Sequence, residues 1–217
     1  MNIEQARFNM IEQQIRPWDV LDTSILALLS AVRREEFVPA QHRSLAFMDL
    51  ELPLDNGGAL LAPRVEARLV QDLNLNKHDV VLQVGVGTGY VTALIAHKAQ
   101  RVVALDSQAD LVNTARQNLR KAGIANAEVQ QGDGVNGLSG QAPFDAILLT
   151  GSVASVPQTL LDQLKIGGRL LAIVGQEPIM QATLFTRTGD KQFEKQELFD
   201  TVAARLPGFA AANSFSF

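Results

Sequence analysis

Val80-Val81-Leu82-Gln83-Val84-Gly85-Val86-Gly87-Thr88-Gly89-Tyr90 decides the fold. Its first five residues are mostly branched and apolar, as in a strand buried on both faces. Three glycines then alternate with Val86 and Thr88, and Tyr90 opens a helical stretch that reaches Lys98. Strand, glycine loop and helix in direct succession begin a strand–helix–strand crossover. Glycine in the loop lets the backbone turn sharply and approach a ligand with no Cβ in the way.

The alternation continues downstream. Arg101 to Leu105 reads as a strand, Gln108 to Ala122 as a helix, Glu128 to Gln130 as a short strand and Ala146 to Leu149 as a buried one. Pro157 to Leu164 reads as a helix and Arg169 to Val174 as a strand. Such repetition predicts a doubly wound, Rossmann-like α/β sheet with helices on both faces. The end differs: Ala182 to Arg187 and Phe193 to Phe199 flank Thr188-Gly189-Asp190, which predicts an antiparallel hairpin. Upstream, Ile3, Ala6, Met10, Ile11 and Ile15 recur at helical spacing until Pro17. Thr23 to Arg33 is a second helix with Asp22 or Thr23 as its cap, and Pro63 suits the first position of a third. Residues 34–62 between them look irregular. The expected organisation is a helical extension with a loop, 1–62, packed on a main domain, 63–217.

Two carboxylates join the glycine loop. Asp106 ends the second strand, 21 residues after Gly85. A carboxylate there can accept hydrogen bonds from both hydroxyls of a ribose, and the distance suits an adenosyl group. It also suits a helix cap. Asp133, between Gly132 and Gly134, follows the third strand at the sheet edge where ligands of open α/β sheets bind. It is a candidate partner for an adenine amino group, or a turn residue. A dinucleotide-binding loop would carry its third glycine where this chain has Tyr90, which argues against a nicotinamide enzyme.

The composition narrows the classes. In 217 residues, 47% hydrophobic content is enough for a sizeable core, and a net charge of -4 gives no electrostatic grip on nucleic acid. There is no cysteine, which excludes disulfides, thiolate zinc sites and cysteine nucleophiles and fits a reducing compartment. His42, His78 and His97 lack metal-ligand spacing, so no metal is expected. No run approaches the roughly 18 apolar residues of a membrane span, and the N-terminus lacks the apolar core of a signal peptide. A cytoplasmic protein, with no nucleic acid or membrane partner, is the expectation.

Longer stretches carry a resemblance. Glu35-Glu36-Phe37-Val38-Pro39, the loop Leu52 to Pro63, Val81 to Tyr90, Gly132-Asp133-Gly134 and Ala142-Pro143-Phe144-Asp145 resemble protein-L-isoaspartate O-methyltransferases in order and spacing. So do Val156-Pro157, Gln163 to Leu170 and Val174-Gly175. The resemblance implies the class I S-adenosylmethionine-dependent methyltransferase fold, a parallel sheet closed by an antiparallel hairpin. It implies S-adenosyl-L-methionine as cofactor and S-adenosyl-L-homocysteine as product. It places Gln83, Gly85, Val86, Gly87, Thr88, Gly89, Asp106, Ser107, Gly132, Asp133 and Gly134 around that cofactor. The loop Leu54 to Leu61 would cover the site and help bind the carboxylate of an isoaspartyl residue in a damaged protein, by a monomer or a homodimer.

The resemblance breaks in that loop. The family reads Pro-Ile-Gly-x-Gly-Gln-Thr-Ile-Ser, whereas this chain reads Pro53-Leu54-Asp55-Asn56-Gly57-Gly58-Ala59-Leu60-Leu61. The glutamine, threonine and serine have become Gly58, Ala59 and Leu61, and the usual glutamate of the glycine motif is Gln83. A carboxylate nucleophile, with a free pKa near ~4, needs no general base at neutral pH, so positioning carries most of the catalysis. The more apolar loop predicts weaker isoaspartyl recognition or another acceptor, a small molecule included. Asp55 and Asn56 could replace the lost polar contacts or could form an exposed turn. A cofactor-binding protein without catalysis is a third reading. Ser152 and Ser155, after the fourth strand, read as acceptor contacts or caps. Trp18 and Phe37 are expected to pack the N-terminal region on the sheet. The tail from Gly208 to Phe217 reads as docked, as an oligomer contact or as frayed.

Overall fold

The computed structural model describes residues 2–55 and 58–209. Asn56, Gly57 and most of the apolar tail considered above lie outside the described residues.

Helix α1 (Ile3–Met10) starts at Asn2, whose side chain accepts from the Gln5 N–H. The chain continues through a π turn, Ile11–Ile15, and a 3-10 turn containing Pro17, which ends the run. Helix α2 (Thr23–Ala31) is capped by Asp22, whose carboxylate accepts from Ser24 N at 2.7 Å. The irregular region holds two 3-10 turns and a two-residue ribbon, β1 (Leu52–Pro53) against β2 (Ala59–Leu60). Helix α3 (Pro63–Asp72) opens with its proline, where a missing N–H costs nothing.

The sheet begins at β3 (Val80–Val84) and alternates with helices through α4 (Tyr90–Lys98), β4 (Arg101–Asp106), α5 (Ala109–Lys121) and β5 (Ala127–Gln131). It continues with β6 (Phe144–Val153), α6 (Gln158–Leu161), β7 (Leu164–Gln176), β8 (Ile179–Gly189) and β9 (Gln192–Asp200). The spatial order is β5-β4-β3-β6-β7-β8-β9, parallel as far as β7 and antiparallel beyond it. The order reverses at β3, so a crevice opens between the carboxyl ends of β3 and its neighbours.

The largest boundary shift falls at the start of β7. The helix read from Pro157 to Leu164 ends at Leu161, and β7 starts at Leu164 rather than Arg169. Gly167 has a φ of +82° and a Cβ on Gly168 would stand 2.8 Å from Lys165 O, so the strand crosses a glycine irregularity before regular pairing resumes at Arg169. Two adjacent glycines read locally as a break, but pairing with β6 carries the strand through them.

Strand alternation divides the core. Val81, Leu148, Leu171 and Ile173 face α3, α4 and the N-terminal region, sharing one buried cluster with Met10, Ile15 and Phe37. Leu82, Val84, Ile147 and Leu149 face the other way, toward Leu160, Leu161, Leu164 and Leu206. Trp18 meets Phe199 of β9 edge-on at 5.8 Å, while Arg64 and Arg68 of α3 stack over Trp18 and Phe199. The N-terminal region is thus held on the sheet by a shared apolar core and by cation–π contacts.

Asp145 ties the entry to two strands. Its carboxylate accepts from Val80 N at 2.8 Å and from Lys165 Nζ at 2.9 Å. Partial burial opposes the charge, but the Val80 N–H, Lys165 and Arg169 prevail and hold the carboxyl below its usual value of 3.8. A lowered native pKa means that the unfolded state takes up the proton first, so this contribution is present at neutral pH and lost as pH falls below that value. Asp145→Asn is therefore expected to be less stable in denaturant titrations at neutral pH, with the deficit shrinking below about pH 4. A deficit independent of pH contradicts this account.

Candidate cofactor and acceptor site

A cleft lies at the carboxyl ends of β3, β4 and β6. Its floor is the glycine loop. Gly85 has a φ of +86°, and a Cβ there would stand 3.1 Å from Thr150 Oγ1 and 2.5 Å from a Leu206 methyl. Gly89 caps α4 with a φ of +93°, and its Cβ would stand 3.3 Å from that of Ala115. Both positions combine left-handed backbone with close neighbours, which only glycine meets without strain. Gly85, Val86 and Gly87 line the cleft, while Thr88 and Gly89 shape the loop from behind. The Thr88 carbonyl accepts from Asn118 Nδ2 at 2.9 Å, fixing the loop to α5.

Asp106 is buried at the end of β4 and lines the cleft. One carboxylate oxygen accepts from Gly87 N and the other from Gln108 N, each at 3.1 Å. A carboxylate offers about four acceptor positions, so roughly two stay available, enough for a pair of vicinal hydroxyls. Asp106 is thus both a cap of its own turn and a candidate ligand. Ser107, Gly132 and Gly134 line the same cleft. Asp133 does not: its exposed carboxylate accepts from Val135 N at 3.0 Å and Asn136 Nδ2 at 3.1 Å.

Gln83 is fully buried beneath the loop. Its Oε1 accepts from Thr92 Oγ1 at 2.7 Å and its Nε2 donates to Thr150 Oγ1 at 3.3 Å. Thr150 directs its own hydroxyl toward the carbonyls of Val84 and Gly85. Thr150 therefore needs a donor from position 83, which an amide supplies and a carboxylate cannot.

The opposite wall comes from β2 and the residues around it. Gly58, Ala59, Leu60 and Leu61 line the cleft and present no polar side chain to it. Asp55 is exposed and accepts from Gln41 Nε2 at 3.1 Å instead. Beyond this wall Arg34 is fully buried, donating to Glu66 Oε2 at 2.8 Å, Ala46 O at 2.7 Å and Leu61 O at 2.9 Å. Burial pushes the Glu66 carboxyl above its ordinary value, against the pull of Arg34. Tyr90 is buried beside them, edge-on to Phe37 at 5.6 Å, and burial raises its hydroxyl above the usual phenol value.

Glu66, Tyr90, Thr150 and the segment Ala204 to Pro207 line the cleft although the sequence did not assign them there. Tyr90 had a signal, its place at the end of the glycine motif. The C-terminal segment had none. It reaches the site by hydrogen bonds from Ser152 N to Ala204 O at 2.8 Å and from Leu206 N to Ser152 O at 2.9 Å. Of the two serines, Ser152 is fully buried and Ser155 is exposed. Among the described residues there is no group of three or more His, Asp or Glu able to hold a metal, and no helix long and apolar enough to cross a membrane.

A glycine-lined cleft at the switch point of a parallel sheet that ends in antiparallel strands is the arrangement of the class I S-adenosylmethionine-dependent methyltransferases. The chain belongs to the protein-L-isoaspartate(D-aspartate) O-methyltransferase family, whose model matches residues 5–204. The protein-L-isoaspartate O-methyltransferase of Methanoculleus marisnigri is 40% identical over 171 residues, 79% of this chain and 78% of its own. Protein-L-isoaspartate O-methyltransferase 2 of Pelobacter propionicus is 36% identical over 198 residues, 91% of this chain and 88% of its own. Among solved structures, a protein-L-isoaspartate O-methyltransferase superposes with a TM-score of 0.78 at 27% identity, covering 95% of this chain and 66% of the other. A structure assigned as the Plasmodium falciparum β-aspartate methyltransferase, in complex with S-adenosyl-L-homocysteine, gives 0.78 at 21% identity, covering 95% and 98%. The chain is thus a methyltransferase that uses S-adenosyl-L-methionine.

Proposed function

We propose that this protein methylates the free carboxylate of isoaspartyl residues in damaged proteins. The observation that carries the reading is one cleft lined by the glycine loop and Asp106 together with Tyr90 and β2, so that a cofactor and an acceptor can share it. S-adenosylmethionine supplies an electrophilic methyl: as the carboxylate oxygen forms the new C–O bond, the C–S electron pair returns to sulfur and leaves the neutral thioether.

The chain's own part is to hold two reactants in line. Asp106 receives the ribose hydroxyls, and the loop from Gly85 to Gly89 wraps the methionyl part beside the positive end of α4. Val86 and Thr88 give the loop its shape, while Ser107, Gly132 and Gly134 flank the base. Asp133, with acceptor capacity beyond its two turn bonds, faces the adenine amino group from the rim. Gln83 supports the loop from below. Residues 1–62 serve as a cap on a main domain, 63–217, and Gly58 to Leu61 form the acceptor-facing edge of that cap. The protein acts in the cytoplasm, without nucleic acid, as a monomer or homodimer.

The apolar wall of Gly58, Ala59, Leu60 and Leu61 favours one further reading, the same transfer to a different acceptor. Mass spectrometry separates the two after incubation of an isoaspartyl peptide with S-adenosylmethionine. The expected product carries one methyl on the isoaspartyl carboxylate, removable by mild base. A methyl on an amine or hydroxyl, or an unmodified peptide beside a methylated small molecule, overturns the isoaspartyl reading.

A further inference from the structure

A carboxylate acceptor needs donors, and the β2 wall offers none from side chains. The far side of the cleft does. Arg205 lines the cleft, and its Nη2 donates to Gly175 O at 2.9 Å, which fixes the guanidinium plane. Its Nη1 is buried and has no hydrogen-bond partner. Among the described residues no carboxylate lies within 4.0 Å of its nitrogens; Glu51, nearby in the fold, accepts instead from the Ala204 backbone N–H. A second unpartnered group stands beside it: Ser152 is fully buried and its Oγ makes no hydrogen bond.

These two residues face each other in an isolated parallel bridge. Paired residues of adjacent strands project their side chains to the same face. Leu206, the next residue, projects to the opposite face and packs with Leu149 and Val84. Arg205 therefore projects to the face opposite Leu206 and lines the cleft, whereas Ser152 on the same face is fully enclosed behind the lining. A half-buried guanidinium with one buried nitrogen left unpartnered is unfavourable unless an acceptor completes it. A guanidinium held at one end offers its remaining edge to a carboxylate in directed, charge-assisted hydrogen bonds.

We infer that Arg205 holds the acceptor carboxylate, replacing the polar side chains that the β2 wall lacks. The inference rests on the isoaspartyl reading. One carboxylate oxygen stays on Arg205 while the other points at the methyl group, so Arg205 is a specificity residue and no proton moves.

The test is steady-state methyl transfer to an isoaspartyl peptide by Arg205→Gln and Arg205→Lys, with calorimetric binding of S-adenosylhomocysteine to each. Arg205→Gln is expected to raise KM for the peptide by about 10- to 100-fold, as for a lost charge-assisted hydrogen bond. The affinity for S-adenosylhomocysteine stays within about twofold, because the glycine loop and Asp106 are untouched. Arg205→Lys keeps the charge and recovers part of the loss. An unchanged KM in Arg205→Gln overturns the inference alone. So does a KM that changes only in step with cofactor affinity, as a merely structural role for Arg205 would give. No transfer by the unaltered protein, with S-adenosylhomocysteine bound, overturns the isoaspartyl reading and this inference with it.

Discussion

Asp106→Ala is expected to weaken binding of S-adenosylhomocysteine by about 100-fold or more, because two hydrogen bonds from ribose hydroxyls to a charged acceptor are each worth ~1.5–3 kcal/mol. The substitution also removes the acceptor for Gly87 N and Gln108 N, so the loop loses its anchor to β4. Asp106→Asn separates the two effects. It keeps one oxygen acceptor but replaces the other with a donor, which cannot satisfy both backbone N–H groups and both hydroxyls. Its affinity is expected to fall between those of the unaltered protein and Asp106→Ala. Calorimetry at matched ionic strength measures both. Unchanged affinity in Asp106→Ala places the adenosyl group elsewhere and contradicts the account of the cleft.

Arg34→Met carries the largest expected effect on stability. Arg34 joins three separate pieces: the segment at Ala46, the cleft wall at Leu61 and α3 at Glu66. Its removal leaves two carbonyls without this donor and, above all, a buried carboxylate without a partner. Breaking a buried pair in this way costs about 3–5 kcal/mol. For a domain of this size that corresponds to a fall in Tm of roughly 6–20 °C. Burial already raises the Glu66 carboxyl above its ordinary 4.5, and losing Arg34 raises it further. A raised native pKa means that protonation favours the fold, so the deficit is largest above the native value and shrinks as pH falls toward the ordinary one. Arg34→Met with Glu66→Leu removes both charges and is expected to recover most of the loss. A single variant as stable as the parent, or a double variant no better than the single, contradicts this role.

The central part of the fold was legible because local pattern and tertiary fate agree there. Val80 to Tyr90 is apolar where it is buried and glycine where the backbone turns left-handed, so strand, loop and helix fall where the sequence puts them. Asp106 and Pro63 were legible for the same reason, since caps and first-turn prolines are local devices. The start of β7 was not, because Gly167-Gly168 is a break in local terms and only the partner strand carries the chain across it. The burial of Glu66 and Arg34 had no local signal, because it depends on segments brought together from a distance in sequence. Arg205 was illegible for a stronger reason: its place follows from a bridge to Ser152 that no periodicity announces. The glycine-loop side of the cleft was therefore readable from motif spacing, whereas the rest of its lining comes from distant pieces of chain.

The most direct measurement is kcat/KM for labelled methyl transfer from S-adenosylmethionine to an isoaspartyl peptide and to its normal aspartyl twin, with S-adenosylhomocysteine binding checked in the same preparation. Base-labile label on the isoaspartyl peptide, exceeding that on its twin by at least about 100-fold in kcat/KM, is the predicted result, since the twin presents its carboxylate out of reach of the aligned methyl. Equal transfer to both peptides, or none to either from protein that binds S-adenosylhomocysteine, would contradict the assignment.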